Sequence, residues 1–565
     1  MRICASLTAA AVLAAGAARA APARGAAEAA AQEAFSRIDG EQLTAVQAQA
    51  RFSQLIASLA EAGLSRSGTA LLASLAADEK QSEDVRAGAR AQLIARAGQD
   101  DSLAQAALTE KIAPGKLPAA IAVRLARGHL ERALQLSPPE EGGDFIGLQP
   151  GPSLVPASGE PLDKELAREM GAPQQEANGA AKPQAPAPET DRRALRELDA
   201  ARALAASVPA GDPSEGDARE VAGLAALAAG DAESAAKEFL SLAQLPIERG
   251  DEGASARRDA AFLQLARLAY QGGDDSRATA LYEKVGRGAP EWLDALFEAS
   301  WAHFRRGEDE KALGNLLTLH APFFQGRFFP ESFVLKALVL YENCRYGDAR
   351  RALDEFDRRY QPLQEGLTSA LEKLTTPQAA YEFLARGAVG LQPSPAREEI
   401  GRLEQELQPD VAAVVELAQE IDSIDKRPAA FRASRLVARM ATSARQARLD
   451  LIDGAGRKLL ARMGAERAEL RELLAQSLRL SYEIAGREKE LATSNEPGLA
   501  AQPQRDPPQV KDDEEVWPFQ GEYWRDELGS YRYQLGQRCR HARPALPQAA
   551  KGGPAPAKVA AEPGR

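Results

Sequence analysis

The feature that most constrains the fold is a recurring pair of small residues, a glycine followed five positions later by an alanine. The copies are Gly230 with Ala235, Gly273 with Ala278, Gly307 with Ala312 and, with cysteine in place of glycine, Cys344 with Ala349. From 273 to 307 the period is 34 residues. The spacing predicts a pair of antiparallel helices in each copy. The glycine allows the tight turn, and the alanine lies where the helices approach too closely for a larger side chain.

Composition favours helices, and the chain of 565 residues is long enough for several domains. Ala and Leu carry most of the 44% hydrophobic content, whereas aromatic residues make up only 5%. Ala and Leu lose little free energy on entering a helix, so we expect an all-α protein. The formal net charge of −11 and the lack of a basic stripe argue against nucleic-acid binding, which requires clustered positive charge.

The repeat resembles the tetratricopeptide (TPR) family, whose period and small-residue positions it shares, over roughly residues 217–363. Phe262, Leu265, Ala266 and Pro290 complete the copy that fits the family pattern best. The resemblance implies a TPR-type helical solenoid, placed at 193–363, that mediates protein–protein interactions. No catalytic residue, metal or cofactor is expected.

In the TPR family, the first helix of each repeat lines a concave groove that holds the ligand. Carried over to this chain, the groove positions are Arg267, Tyr270, Phe297, Trp301, Phe304, Arg305 and Tyr341, flanked by Leu263, Gln271, Val334, Leu338 and Glu342. Tyr270, Phe304 and Tyr341 recur at one position and would form an aromatic ladder suited to a peptide or helix. Alternatively, these side chains pack between repeats or beneath later helices of the same chain.

Two stretches also resemble envelope TPR proteins of gliding bacteria, including components of their adventurous gliding-motility machinery. They are "WLDALFEASWAHFRRGEDEKALGNL" and "WPFQGEYWRDEL". This resemblance implies a periplasmic, outer-membrane-associated role in an assembly.

The N-terminus is consistent with export. "MRICASLTAAAVLAAGAARA" begins with a positive Arg2, continues with an apolar stretch and ends in Ala18-Arg19-Ala20. This order is typical of a secretory signal peptide at 1–20, and the alternative is an N-terminal membrane anchor. No later stretch is long and apolar enough to span a bilayer.

Composition divides the rest of the chain. Residues 28–137 are predicted to form amphipathic helices, one of which ends at Gly63. A Pro-, Ala-, Gly- and Glu-rich stretch at 138–191 is predicted to be a disordered linker. The remaining regions are a helical or coiled-coil region at 364–492, a linker at 493–515, an aromatic C-terminal segment at 516–541 and a disordered tail at 542–565.

The 364–492 region carries a helix from Asp410 to about Ile424, stopped by Pro428. It also carries a long apolar stripe with three-four spacing. The stripe consists of Leu449, Ile452, Leu459, Met463, Leu470, Leu473, Leu480, Ile484 and Leu491. It predicts a coiled coil or a long hairpin helix, which pairs either within the chain or in a homodimer.

Little in the sequence indicates catalysis. The four histidines are scattered, and no HExxH, GxSxG, P-loop or paired-cysteine zinc spacing occurs. We therefore expect a non-enzymatic scaffold whose partners are other envelope proteins. The alternative is a cell-wall-binding accessory factor or an envelope enzyme with its chemistry in the N-terminal helices.

Cleavage of the signal would remove Cys4 and leave Cys344 and Cys539, an even number in an exported chain. Because Cys344 takes a turn position, it should lie near the surface. We predict that a Cys344–Cys539 disulfide joins the aromatic C-terminal segment to the last repeat. Two separate thiols are the alternative.

Overall fold

The structure, a computed structural model, describes residues 21–99, 101–111, 116–136, 189–324, 326–387, 395–493 and 521–535. Across these ranges the regular elements are nineteen α-helices and one 3-10 turn, with no strand, which confirms the predicted all-α class. The predicted signal peptide, nearly all of both predicted linkers, the tail, Trp517, Phe519 and Cys539 lie outside the described residues.

The first seven helices lie between residues 21 and 206. They are α1 (Ala21–Gly40), α2 (Ala45–Glu61), α3 (Ser65–Ala77), α4 (Glu83–Ala97), α5 (Ser102–Lys111), α6 (Ala119–Leu136) and α7 (Glu189–Ala206). Helix starts are encoded locally, as at α2. There the Thr44 side chain accepts the Gln47 backbone N–H, and the Gln47 side chain accepts the Thr44 N–H at 3.0 Å. This capping box satisfies two amide groups that lack partners within the helix.

The later helices follow in order. They are α8 (Glu215–Ala228), α9 (Ala232–Ala243), α10 (Glu252–Gln271), α11 (Asp275–Tyr282), α12 (Trp292–Arg305), α13 (Asp309–Leu319), α14 (Glu331–Glu342), α15 (Tyr346–Lys373), α16 (Pro377–Arg386), α17 (Pro395–Asp425), α18 (Ala429–Arg432) and α19 (Arg435–Thr493). The 3-10 turn is Pro322–Phe324.

The small-residue pairs lie at turns between consecutive helices. Gly230, Gly273, Gly307 and Cys344 have φ angles of 76°, 76°, 73° and 57°. At each turn the next residue donates its amide to a carbonyl five residues back, as Asp274 N does to Ala269 O at 2.9 Å. This Schellman motif ends the first helix and needs a left-handed residue, which glycine supplies without strain. The paired alanines, Ala235, Ala278, Ala312 and Ala349, are all 0% exposed.

A fifth turn of the same kind lies between α2 and α3, at Gly63, which the sequence predicted as a helix end but not as a copy of the repeat. Gly63 has a φ of 74°, and Leu64 donates its amide to Leu59 O at 2.8 Å. Five positions on is Gly68, where an added Cβ would lie 3.2 Å from Ile56 and Leu59 side-chain carbons. The small residue here is a second glycine rather than alanine, which hid the pattern.

The chain folds as two compact units whose boundaries fall inside α9, α15 and α19. The first unit comprises the described parts of 1–147, 173–238 and 361–471. In its core, Phe52 and Leu59 share one buried cluster with Phe431 and Met440. A buried ion pair, Arg427 to Glu28 at 2.7 Å, crosses the same core. The N-terminal helices and the 424–441 region therefore form one core, although the sequence placed them in separate regions.

Helices α17 and α19 pair in antiparallel fashion within the first unit. Side-chain contacts join Arg402 to Glu466 at 2.5 Å, Glu406 to Arg462 at 3.7 Å and Asp410 to Lys458 at 3.1 Å. Numbering rises along one helix as it falls along the other, so the helices run in opposite directions. Leu459, Met463 and Leu470 of the predicted stripe are 0% exposed, whereas Leu449 is 53% exposed. Most of the stripe is therefore buried within the chain.

Two helices continue through prolines. α17 begins at Pro395 rather than at the predicted Asp410 and runs through Pro409, and α15 runs through Pro362. A proline inside a helix removes one hydrogen bond, which made Pro409 look like a boundary. Leu403 and Leu407 are buried on the N-terminal side of Pro409, so packing offsets the missing bond.

The second unit comprises the described parts of 239–360 and 472–565. Its core joins Leu316, Leu335 and Leu353 to Leu480 and Ile484 of α19 and to Leu535. Residues 521–535 form no helix, and we call them the C-terminal strap. Of the helices in the described ranges, none has the length and apolarity needed to cross a membrane.

Candidate functional site

The predicted groove residues belong to α10, α12 and α14 of the second unit, and Arg267 on α10 is buried. Its Nε lies 3.0 and 2.9 Å from the two carboxylate oxygens of Glu298 on α12. Tyr282 on α11 donates its hydroxyl to the same carboxylate at 3.1 Å. Burial, and then the negative charge of Glu298, raise the pKa of Tyr282, so the hydroxyl stays a donor. Arg267 thus joins three helices through Glu298, a residue that no sequence motif indicated.

Arg305 and Tyr270 make a second link between consecutive helix pairs. The Arg305 guanidinium lies 4.4 Å from the centre of the Tyr270 ring, within cation–π range. The Arg305 Nε also lies 3.2 Å from the Asp275 carboxylate. Burial raises the pKa of Tyr270. Both residues therefore support packing between repeats.

The other predicted aromatic residues differ in exposure. Phe304 is 7% exposed and meets the Trp301 ring edge-on at 6.0 Å. Phe297 packs against Phe329 with ring centres 5.9 Å apart, and Tyr341 lies 5.6 Å from the ring of Tyr346. Phe297, Trp301 and Tyr341 are half-buried; of the flanking positions, Leu263, Val334 and Leu338 are buried, Glu342 is half-buried and Gln271 is exposed. Phe304 interrupts the ladder, and Phe297 with Trp301 supplies accessible aromatic surface on α12.

The C-terminal strap lies along α13. The backbone N–H of Gly529 donates to Thr318 Oγ1 at 2.9 Å. Farther on, the amides of Tyr533 and Leu535 donate to the backbone and side-chain oxygens of Glu310 at 3.1 and 3.3 Å. The strap therefore runs antiparallel to α13, from Thr318 back towards Glu310, and its backbone makes the contacts.

Two glycines permit this close approach. A Cβ at Gly314, in the middle of α13, would lie 1.9 Å from the carbonyl oxygen of Tyr531. A Cβ at Gly529 would lie 2.8 Å from the Trp292 ring. Arg287 anchors the strap further by donating to Asp526 O at 2.8 Å and Ser530 Oγ at 2.7 Å. The sequence signal for this docking was Gly314 itself, since an interior helix glycine often marks a close backbone approach.

Cys344 is disulfide-bonded. The next residue, Arg345, donates to the carbonyl oxygen of Leu535 at 3.4 Å. The described part of the strap therefore ends beside the cysteine. Cys539, the predicted partner, lies outside the described residues.

A cavity of about 440 Å³ lies between the strap and α11–α13. Its apolar lining is Tyr282, Val285, Trp292, Ala295, Leu296 and Ala299. Its polar lining is Glu283, Arg287, His303, Lys311, Asn315, Gly529, Ser530, Tyr531 and Arg532. A ligand here would meet an apolar wall and a rim of side chains that carry mainly positive charge.

His303 and Glu308 shape the electrostatics of this cavity. Burial lowers the pKa of His303, although its Nδ1 lies 2.6 Å from the Glu308 carboxylate. The imidazole is therefore neutral at pH 7. Burial alone would raise the pKa of Glu308, but hydrogen bonds from His303, Lys311 and Arg306 together lower it to about 2.

Within the described ranges, no group of three or more His, Cys, Asp or Glu side chains could hold a metal ion. Compared with known proteins, the sequence matches no protein-family model and no curated protein.

Proposed function

We propose that the chain is a TPR-type solenoid that acts as a scaffold by binding other proteins. The observation that carries the proposal is the repeated turn. Five helix pairs share a left-handed residue, a buried small residue five positions later and a buried apolar residue nine positions later. Repeats of this kind stack into extended surfaces that suit peptides and helices.

The C-terminal strap supports a binding role for this surface. It is a non-helical, aromatic-rich segment, and its backbone amides donate hydrogen bonds to Glu310 and Thr318. The helices of the second unit therefore already accommodate one non-helical segment, and a segment of another protein could be held in the same manner.

The partner-binding residues that we propose are Phe297 and Trp301 on α12. Both are half-buried, so they are positioned by packing and still keep accessible surface. Aromatic side chains held in this way dominate the binding energy of many interfaces. Arg267, Tyr270, Phe304, Arg305 and Tyr341 position the helices beneath this surface.

We place the scaffold in the periplasm, associated with the outer membrane and with a complex such as the gliding-motility machinery. The signal-like N-terminus supports export, and the disulfide at Cys344 suits an oxidising compartment. A homodimer would need a surface other than the buried part of the α19 stripe, because Leu459, Met463 and Leu470 are already covered.

Affinity capture from envelope extracts tests the proposal. The Phe297→Ala/Trp301→Ala variant should lose the captured protein partner, since truncating two aromatic anchors at about 2 kcal/mol each weakens binding roughly a thousandfold. Tyr482→Ala is the matched control, because Tyr482 is 71% exposed on α19 and lies outside the proposed surface. Undiminished capture by a folded double variant would contradict the proposal. Retention on purified cell wall without any protein partner would favour the accessory-factor alternative.

A further inference from the structure

The cavity beneath the C-terminal strap has the size and lining of a small-molecule site. Its volume of about 440 Å³ lies within the usual range for ligand pockets. One wall is apolar, with Trp292, Leu296 and Ala299 contributed by a single helix, α12. The other side is polar and includes strap residues 529–532. The site is therefore amphipathic, with the strap as its cover.

The charged groups around this cavity are mostly positive. Lys311, Arg287 and Arg532 line it, against the single carboxylate of Glu283. Lys311 also contacts Glu308, at 3.2 Å. Arg287 donates to a carbonyl and a hydroxyl oxygen of the strap, both uncharged acceptors. Among the described residues, no carboxylate lies at ion-pair distance from Arg287 or Arg532.

We propose that this cavity binds a small amphipathic carboxylate, with its acyl or aryl body against Trp292 and Leu296 and its carboxylate at Arg532 and Arg287. Guanidinium groups recognise carboxylates through paired, charge-assisted hydrogen bonds. Covering the apolar wall with an apolar body removes apolar surface from water, which favours binding. The site is separate from the proposed protein-binding residues and does not depend on that function.

Titration of the full chain with octanoate, followed by calorimetry, tests the proposal. Octylammonium has the same chain length with the opposite charge, so it separates charge recognition from simple apolar adsorption. We expect one octanoate per chain and no saturable binding of octylammonium. Equal binding of both compounds, or several equivalents of octanoate per chain, would overturn the proposal.

Variants locate the site. Arg532→Gln should weaken octanoate binding about tenfold, the usual loss for one charge-assisted hydrogen bond. Lys311→Gln should weaken octanoate binding by a smaller factor, because it removes a positive charge near the bound carboxylate. This second variant tests the site if Arg532→Gln fails to fold. Arg525→Gln is the matched control, because Arg525 lies on the same strap but stacks 5.3 Å from the Phe323 ring, outside the cavity. Octanoate affinity that is unchanged in folded Arg532→Gln and Lys311→Gln would refute the assignment.

Discussion

Arg267 and Glu298 form a buried, doubly hydrogen-bonded ion pair between α10 and α12, with side chains 9% and 10% exposed. Tyr282 from α11 completes it by donating to the same carboxylate. Three consecutive helices therefore meet at one carboxylate, which makes it a point where the stacking of the helix pairs can be tested.

Glu298→Gln should destabilise the second unit by about 3–5 kcal/mol, because it leaves the Arg267 charge buried and unpaired. Urea unfolding followed by far-ultraviolet circular dichroism measures the loss. Glu248→Gln is the control, since Glu248 is exposed in a loop. The double variant Arg267→Met/Glu298→Leu should recover most of the loss. Equal stability of Glu298→Gln and the control would show that the pair contributes nothing.

Ala278→Leu should cost about 1–3 kcal/mol, because Ala278 is 0% exposed and lies where the helices approach closely. Ala280→Leu, two residues away on the same helix, is the control because Ala280 is exposed. Thermal unfolding of the two variants should therefore differ. The same midpoint for both would contradict the close-approach role of the repeated alanine.

Glu466→Gln should change how stability depends on pH. Burial, and then repulsion from Glu399, raise the pKa of Glu466 to about 8, against the attraction of Arg402 and Arg462. The folded state therefore holds this proton more tightly than the unfolded state, whose pKa is near 4.5. The contribution of Glu466 to the free energy of unfolding should therefore be largest below pH 4.5 and decline as the pH rises to about 8.

The amide of Glu466→Gln cannot ionise, so that variant should lose this decline. Denaturant unfolding of the first unit across this pH range measures it. Glu406→Gln, on the same helix pair but largely exposed, should keep the wild-type slope. If the free energy of unfolding of Glu466→Gln still declined over this pH range, another titrating group would be responsible.

Gly314→Ala should release the C-terminal strap from α13, since the new methyl group would overlap the Tyr531 carbonyl. Hydrogen exchange at the amides of Gly529, Tyr533 and Leu535 should accelerate. Gly454→Ala, also inside a helix but with open space around it, should leave strap exchange unchanged and stabilise α19 by about 1 kcal/mol. Unchanged protection in Gly314→Ala would mean that the strap does not depend on this contact.

Mass mapping of the non-reduced protein should yield a peptide that joins Cys344 to Cys539. The bond would close a loop of 195 residues (539 − 344), which the chain-entropy model credits with up to about 5 kcal/mol. The contact between Arg345 and Leu535 places the end of the described strap near Cys344. Two alkylatable thiols in protein purified from the periplasm would refute the bond.

Local features of the fold followed from the sequence, whereas pairings between distant residues did not. The turns at Gly230, Gly273 and Gly307 could be located because a Schellman motif depends on a few neighbouring residues. The pairing of Arg267 with Glu298 depends on how successive helices stack, which repeat spacing alone does not specify. Phe304, a member of the predicted aromatic ladder, is buried, and its burial likewise depends on how the helices stack.

The position of the C-terminal strap was the part of the candidate site that the sequence predicted least well. Its aromatic composition indicates that it needs apolar surface, and Gly314 permits a close approach on α13, but no local sequence pattern pairs these two distant segments. Only the pairing of Gly314 with Tyr531 shows why the strap lies there, and the two residues are 217 positions apart (531 − 314). At Pro409 the local signal was wrong. Proline favours a helix boundary, so the helix was predicted to begin at Asp410, but burial of leucines on both sides of Pro409 keeps α17 continuous.

The central claim, protein binding through α12, is tested most directly by photo-crosslinking in intact cells. A benzophenone amino acid at position 301 and, as the control, at position 482 would each be irradiated in the envelope, and the adducts identified by mass spectrometry. The account predicts a discrete adduct with an envelope protein from position 301 that is absent from position 482. Identical adducts from both positions, or none from position 301 in a folded protein, would contradict it.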